Sequence, residues 1–161
     1  MSKRNQQIVI MLVQNQPGVL NKVASLCRRR RYNINSLTVG TTNQKGISQI
    51  TLVFAKERKR IENIVNQIDK LIEVISVEVV KPKDVIDKEL ILMVAKSKEV
   101  VERLKDKFKT DAYIKVINQV EEKVMVEILA EGTVISEIID ELDFKREVER
   151  LVRSGLVALK M

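Results

Sequence analysis

The chain has 161 residues and a formal net charge of +7, with 29 Lys and Arg against 22 Asp and Glu, no His, no Trp and a single Cys. A hydrophobic share of 45 % with 32 % charged residues supports a water-soluble core, in one large domain or two of about 80 residues each. Without His or a second Cys to join Cys27, the usual general base, a zinc cluster and an internal disulfide are all excluded, which counts against catalysis and leaves only carboxylate pairs such as Glu121 with Glu122, beside Lys123 in what reads as a solvated turn. No apolar run nears the roughly 20 residues that a bilayer span needs. The polar start Met1 to Gln7 followed by the short run Ile8 to Val13 is not a secretory signal, so the expected location is cytoplasmic.

Charge divides the chain. Residues 1–80 carry 13 basic and 5 acidic groups, residues 81–161 carry 16 and 17. Lys81-Pro82-Lys83-Asp84 lies between them, and its proline suits a linker better than a strand interior. The expected domains are therefore 1–81 and 82–161.

The first unit opens with the aliphatic, β-branched run Gln7 to Val13, which reads as a buried strand. Asn15-Gln16-Pro17-Gly18 breaks it. From Val19 onward Leu20, Val23, Ala24 and Cys27 recur at helical spacing, predicting an amphipathic helix that ends near Arg31. Asn33 to Thr42 and Ile47 to Ala55 read as strands of a hairpin joined by Asn43-Gln44-Lys45-Gly46. Ile61, Ile64, Val65, Ile68 and Leu71 or Ile72 predict a second helix, and Val74 to Val80 a closing strand. The second unit repeats the order: a strand Glu89 to Ala95, a helix capped by Ser97 and running through Val101, Leu104 and Phe108, and a hairpin of Ala112 to Val120 with Lys123 to Ala130. A helix carrying Ile135, Ile138, Ile139 and Leu142 follows, then an extended piece from Val148 to Leu159. Each half thus reads β-α-β-β-α-β, an α+β ferredoxin-like sandwich with two helices on one face of a four-stranded sheet. The other sheet face is expected to be bare, which favours association with a partner or a second copy.

Two local features suggest a site. Asn15-x-Pro17-Gly18 sits at a strand-to-helix turn, where first-turn N–H groups and the positive end of the helix dipole welcome an anion; Pro17 and Gly18 could equally do no more than start the helix. At Tyr32-Asn33-Ile34-Asn35-Ser36-Leu37 an asparagine amide can accept from an ammonium and donate to a carboxylate, or stabilise its own turn. A small zwitterion fits both features.

Together, Ile10-x-Leu12-x-x-Asn15-x-Pro17-Gly18-Val19-Leu20 and Arg30-x-Tyr32-Asn33-Ile34-x-Ser36-Leu37-Thr38-Val39 resemble the start of the acetolactate synthase small regulatory subunits, whose N-terminal domain is an ACT domain. Lys88-Glu89-Leu90 and Arg153-Ser154-Gly155-Leu156-Val157-Ala158-Leu159 extend the resemblance to nearly the whole chain. It implies a homodimer through the ACT domains and a catalytic large-subunit partner that carries thiamine diphosphate, Mg2+ and FAD, with no cofactor in this chain. It also implies activation of that partner and feedback inhibition by a branched-chain amino acid, valine above all. By the same resemblance Asn15, Gly18, Val19 and Leu20 belong to the first effector-contacting turn, and Asn33 and Ile34 to the second. One position departs from the family: Arg31 stands where glycine usually precedes Tyr-Asn-Ile. A non-glycine residue in left-handed geometry costs roughly 1–2 kcal/mol, so the turn presenting Asn33 is expected to differ.

The cluster Arg28-Arg29-Arg30-Arg31, with Lys56, Arg58, Lys59 and Arg60, offers an alternative reading as a basic RNA-binding module. The central strands carry Val39, Ile50 and Leu52 rather than stacking aromatics, so no nucleic acid and no membrane partner is expected.

Overall fold

The computed structural model describes residues 6–55 and 61–161; the cations Lys56, Arg58, Lys59 and Arg60 lie outside them. The chain forms two compact units, one of residues 1–86 with 156–161 and one of residues 87–155. The division therefore falls a few residues beyond the expected position near Pro82, and the C-terminal segment belongs to the first unit.

In the first unit, Gln6–Gln14 (β1), Val19–Arg29 (α1), Ile34–Thr41 (β2), Ile47–Ala55 (β3), Ile61–Ile68 (α2) and Val74–Val80 (β4) follow the expected order. The sheet runs β2-β3-β1-β4 with every pair antiparallel. Alternation along the strands sends Val9, Met11, Val13, Ile50, Leu52 and Phe54 toward the helices, where Val23, Leu26, Cys27, Ile61, Ile64 and Ile68 meet them in one core. Burial pushes the Cys27 thiol up to about 11, which leaves it unreactive. A register shift between Ile34 and Ser36 inserts one residue into β2, so Ile34 and Leu37 both pack on the helix-side core.

The reverse face of this sheet is not bare, contrary to the reading from sequence. Ile8, Ile10, Val53 and Val80 are buried there beneath Val85, Leu156 and Ala158. The covering segment is Val157–Lys160 (β9) with the residue before it. The expected single extended piece from Val148 to Leu159 is divided at Gly155, whose φ of 81° is a conformation that only glycine adopts without strain. Leu156 is held at both backbone polar groups: its N–H donates to the Ser36 hydroxyl at 2.9 Å and its carbonyl accepts from the Thr38 hydroxyl at 2.8 Å. The Gln49 amide donates to the Ala158 carbonyl at 2.8 Å, and Met161 N–H to the Asp84 carbonyl at 3.1 Å.

Lys81-Pro82 leads into a single 3-10 turn, Pro82–Asp84, and directly into Val85–Ala95 (β5), which starts earlier than expected. The second unit continues with Lys98–Lys107 (α3), Ala112–Val120 (β6), Lys123–Ala130 (β7), Gly132–Glu141 (α4) and Val148–Arg153 (β8), in sheet order β6-β7-β5-β8. Its core joins Ile91, Met93, Val126 and Ile128 to Val101, Leu104, Ile135 and Ile138. Ser97 stands at the N-cap of α3 without capping it; its hydroxyl instead hydrogen-bonds Glu99 and holds that carboxyl below its ordinary range. Arg103 grips Glu147 through two bonds of 2.6 and 2.9 Å, which lowers the Glu147 carboxyl to about 2. Among the described residues no helix is long and apolar enough to cross a membrane.

Candidate functional site

The Asn15 to Leu20 segment connects β1 to α1 through a turn whose backbone is tied down on two sides. Asn15 N–H donates to the Gly46 carbonyl at 2.8 Å, and Gln14 N–H to the Glu73 carbonyl at 2.8 Å. The helix does not begin at Pro17. Gly18 is its N-cap, at φ 88°, so the glycine is required by the left-handed turn and not merely tolerated. The space where a Cβ would stand is open to beyond 4 Å.

The helix end so produced lacks both usual compensations. No side chain caps it, and its first turn holds no acidic residue. Val19 N–H reaches the Gln16 carbonyl only at 3.5 Å, and the first regular helical bond runs from Lys22 N–H to the Gly18 carbonyl at 3.0 Å. An uncapped N-terminus of an 11-residue helix presents donors and positive potential to a carboxylate. Among the expected site residues, Asn15 and Gly18 are exposed and Leu20 retains 42 % exposure, so all three are reachable. Val19 is different: at 4 % exposure its side chain belongs to the core, and only its backbone can serve a ligand.

At the far end of α1, Arg30 N–H bonds the Leu26 carbonyl, Arg31 N–H that of Arg28, and Tyr32 N–H that of Cys27. This is the double closure of a Schellman motif, and it places Arg31 at the left-handed position with φ 59°. The arginine therefore adopts the geometry in which glycine is usual, and the turn expected to differ is retained. Tyr32 packs edge-on against Phe54 at 6.0 Å between ring centroids. Asn33 is exposed, its amide donating to the Asn35 side chain at 3.3 Å, while Ile34 is half-buried against the core.

Asn15, Gly18 and Leu20 are thus brought together, and Asn33 with Ile34, but the two groups are not. They stand at opposite ends of α1, whose 11 residues span about 16 Å. One small amino acid cannot touch both groups within one copy. Ser36 and Thr38, which fall inside the second motif, serve the Leu156 clamp instead.

Two helices on one face of an antiparallel sheet in the order β2-β3-β1-β4 make an α+β sandwich, and residues 9–76 match the family described as the AHAS small subunit-like ACT domain. A probable acetolactate synthase small subunit of Archaeoglobus fulgidus is 35 % identical over 156 residues, 94 % of each chain. The acetolactate synthase small subunit of Mycobacterium avium is 42 % identical over 83 residues, 52 % of this chain and 50 % of that one. The crystal structure of the small subunit from Thermotoga maritima superposes with a TM-score of 0.81 at 32 % identity, covering 97 % of both chains. The chain belongs to the acetolactate synthase small-subunit family.

Proposed function

We propose that this chain regulates a catalytic large subunit of acetolactate synthase, raising its activity and inhibiting it when a branched-chain amino acid accumulates. In this reading the large subunit supplies thiamine diphosphate, Mg2+ and FAD and condenses pyruvate with a second 2-oxo acid, while this chain contributes no reacting group. The observation that carries the proposal is the α1 N-terminus, uncapped and with no acidic residue in its own first turn, at a turn where the space beside Gly18 is open.

The carboxylate of the effector would accept from the first-turn N–H groups, and Asn15 would receive its ammonium. Leu20 would cover the aliphatic side chain. Because Asn33 lies a helix length away, it completes the site only from a second copy, so sensing requires a homodimer of the ACT units. Burying a valine-sized side chain contributes about 1.5–3 kcal/mol and each charge-assisted bond about as much before entropy is subtracted. That range corresponds to micromolar to millimolar affinity, as suits a metabolite sensor.

The test mixes the chain with a large subunit from the same source and follows pyruvate condensation with and without valine, leucine and isoleucine. Gly18→Asp places a carboxylate where the effector's own would sit. It should abolish inhibition and leave activation largely intact. Retained inhibition in that variant would remove the turn from the site, and light scattering that gives a concentration-independent monomer would remove the shared pocket.

A further inference from the structure

The first unit carries a concavity of about 610 Å3 on the outer side of α1, bordered by the turn between α2 and β4. Its charged lining is Lys22, Arg28, Arg29, Lys70 and Glu73, four cations against one carboxylate. That carboxylate is already taken by Lys22, which holds the Glu73 carboxyl below its ordinary range. Arg28, Arg29 and Lys70 make no ion pair among the described residues. Ile72 lines the same concavity at 90 % exposure, the highest of any large apolar residue described.

A bland role exists for Arg28 and Arg29, which occupy the last turn of α1 and complement the negative end of its dipole. That role does not extend to Lys70, which belongs to a different element, nor to a fully exposed isoleucine beside three cations. Unpaired guanidinium groups around an apolar side chain are what an acidic protein segment with one apolar residue requires: the cations steer and orient, and the apolar contact anchors. Nucleic acid fits less well, because the lining holds no aromatic ring on which a base could stack.

We propose that the concavity formed by Arg28, Arg29, Lys70 and Ile72 docks an acidic, apolar-containing segment of the catalytic large subunit. This rests on the regulatory-subunit reading above and adds the surface through which it operates. Arg28, Arg29 and Lys70 lie outside the Gly18 turn, although Lys22 and Glu73 of the same lining adjoin it, so contact with the large subunit and occupation by the effector are probed by different substitutions.

The experiment uses the full chain and the large subunit from the same source, with affinity measured by biolayer interferometry at 50, 150 and 300 mM salt and by the concentration giving half-maximal activation. Wild-type affinity should fall as salt rises. Arg28→Glu with Arg29→Glu should weaken binding about tenfold or more and flatten the salt dependence. Lys70→Glu, which leaves α1 untouched, should weaken it several-fold, and Ile72→Ser several-fold without altering the salt dependence. Lys109→Glu in the second unit should stay within about twofold of wild type. If the arginine and lysine variants both bind within twofold of wild type, the surface is wrong even though the regulatory reading stands. A wild-type chain that does not bind the large subunit overturns both. A labelled single-stranded RNA held at 150 mM salt by the wild type and released by the arginine variant would assign the face to nucleic acid and overturn the proposal.

Discussion

The two units share one strand and helix order, yet they treat the reverse faces of their sheets in opposite ways. In the first, Ile8, Ile10, Val53 and Val80 are sealed under Leu156, Ala158 and Val85, a cover delivered from the far end of the chain. In the second, Leu92, Met125, Leu129, Tyr113 and Val152 all remain exposed on or beside the sheet. That unit invests elsewhere: Glu89, 4 % exposed, takes the Arg153 guanidinium through bonds of 2.7 and 2.9 Å, and Leu90 N–H donates to the Ser154 hydroxyl at 3.0 Å. One sheet is finished by apolar cover, the other by an ion pair that ties its closing strand. A bare second layer is therefore not a property of the strand order but of which segment the chain has left to place over it.

The contrast is broken most directly at Leu156, which is 3 % exposed. Leu156→Ala should cost about 2–5 kcal/mol, with amide exchange accelerated first at Ile8, Ile10 and Val53, whereas Val152→Ala on the open face of the other sheet should stay within about 0.5 kcal/mol. Urea unfolding of the two variants that gave equal losses would abolish the distinction between the faces. Next in size is Arg153→Met. It strands the buried Glu89 carboxylate, and since Arg153 itself is 42 % exposed the loss should be about 2–4 kcal/mol, somewhat below that of a fully enclosed pair. The double variant Glu89→Leu with Arg153→Met should recover most of that loss, because removing both charges leaves no orphan. Failure of the double variant to recover would mean that Arg153 acts through packing rather than through its charge.

What the sequence disclosed was local. Alternation between turn signals located Ile47–Ala55, Val74–Val80, Ala112–Val120 and Lys123–Ala130 at the bounds observed, and Pro17-Gly18 marked the turn into α1. The cover over the first sheet escaped because Leu156 is 120 residues from Ser36, and no periodicity within a strand records what will be laid upon it. Gly155 was the available clue, a glycine interrupting an otherwise extended run. The candidate site was half legible: the turn chemistry at Gly18 and Asn33 could be read, but not their placement at opposite ends of α1, where one copy does not bring them together. The side chain of Val19 was unreadable for the opposite reason, since a helix position next to an exposed turn can still face the core.

Arg31 offers the smallest effect and the sharpest comparison between the two ends of α1. At the N-terminus a glycine fills the left-handed position, and at the C-terminus an arginine does so at φ 59°, held by the Arg31 and Tyr32 N–H bonds to Arg28 and Cys27. The left-handed penalty for a residue with a Cβ is about 1–2 kcal/mol, but glycine would return part of it by enlarging the unfolded ensemble, roughly 0.4–1 kcal/mol. Arg31→Gly should therefore stabilise by about 0.5–1 kcal/mol and raise the melting temperature by a few degrees. Since the same backbone bonds form with either residue, Asn33 keeps its position and the affinity for the effector should not change. A lower melting temperature would show that contacts of the arginine side chain outweigh the strain at its backbone. A changed effector affinity with an unchanged melting temperature would place Arg31 itself, and not only the turn it closes, at the proposed effector site.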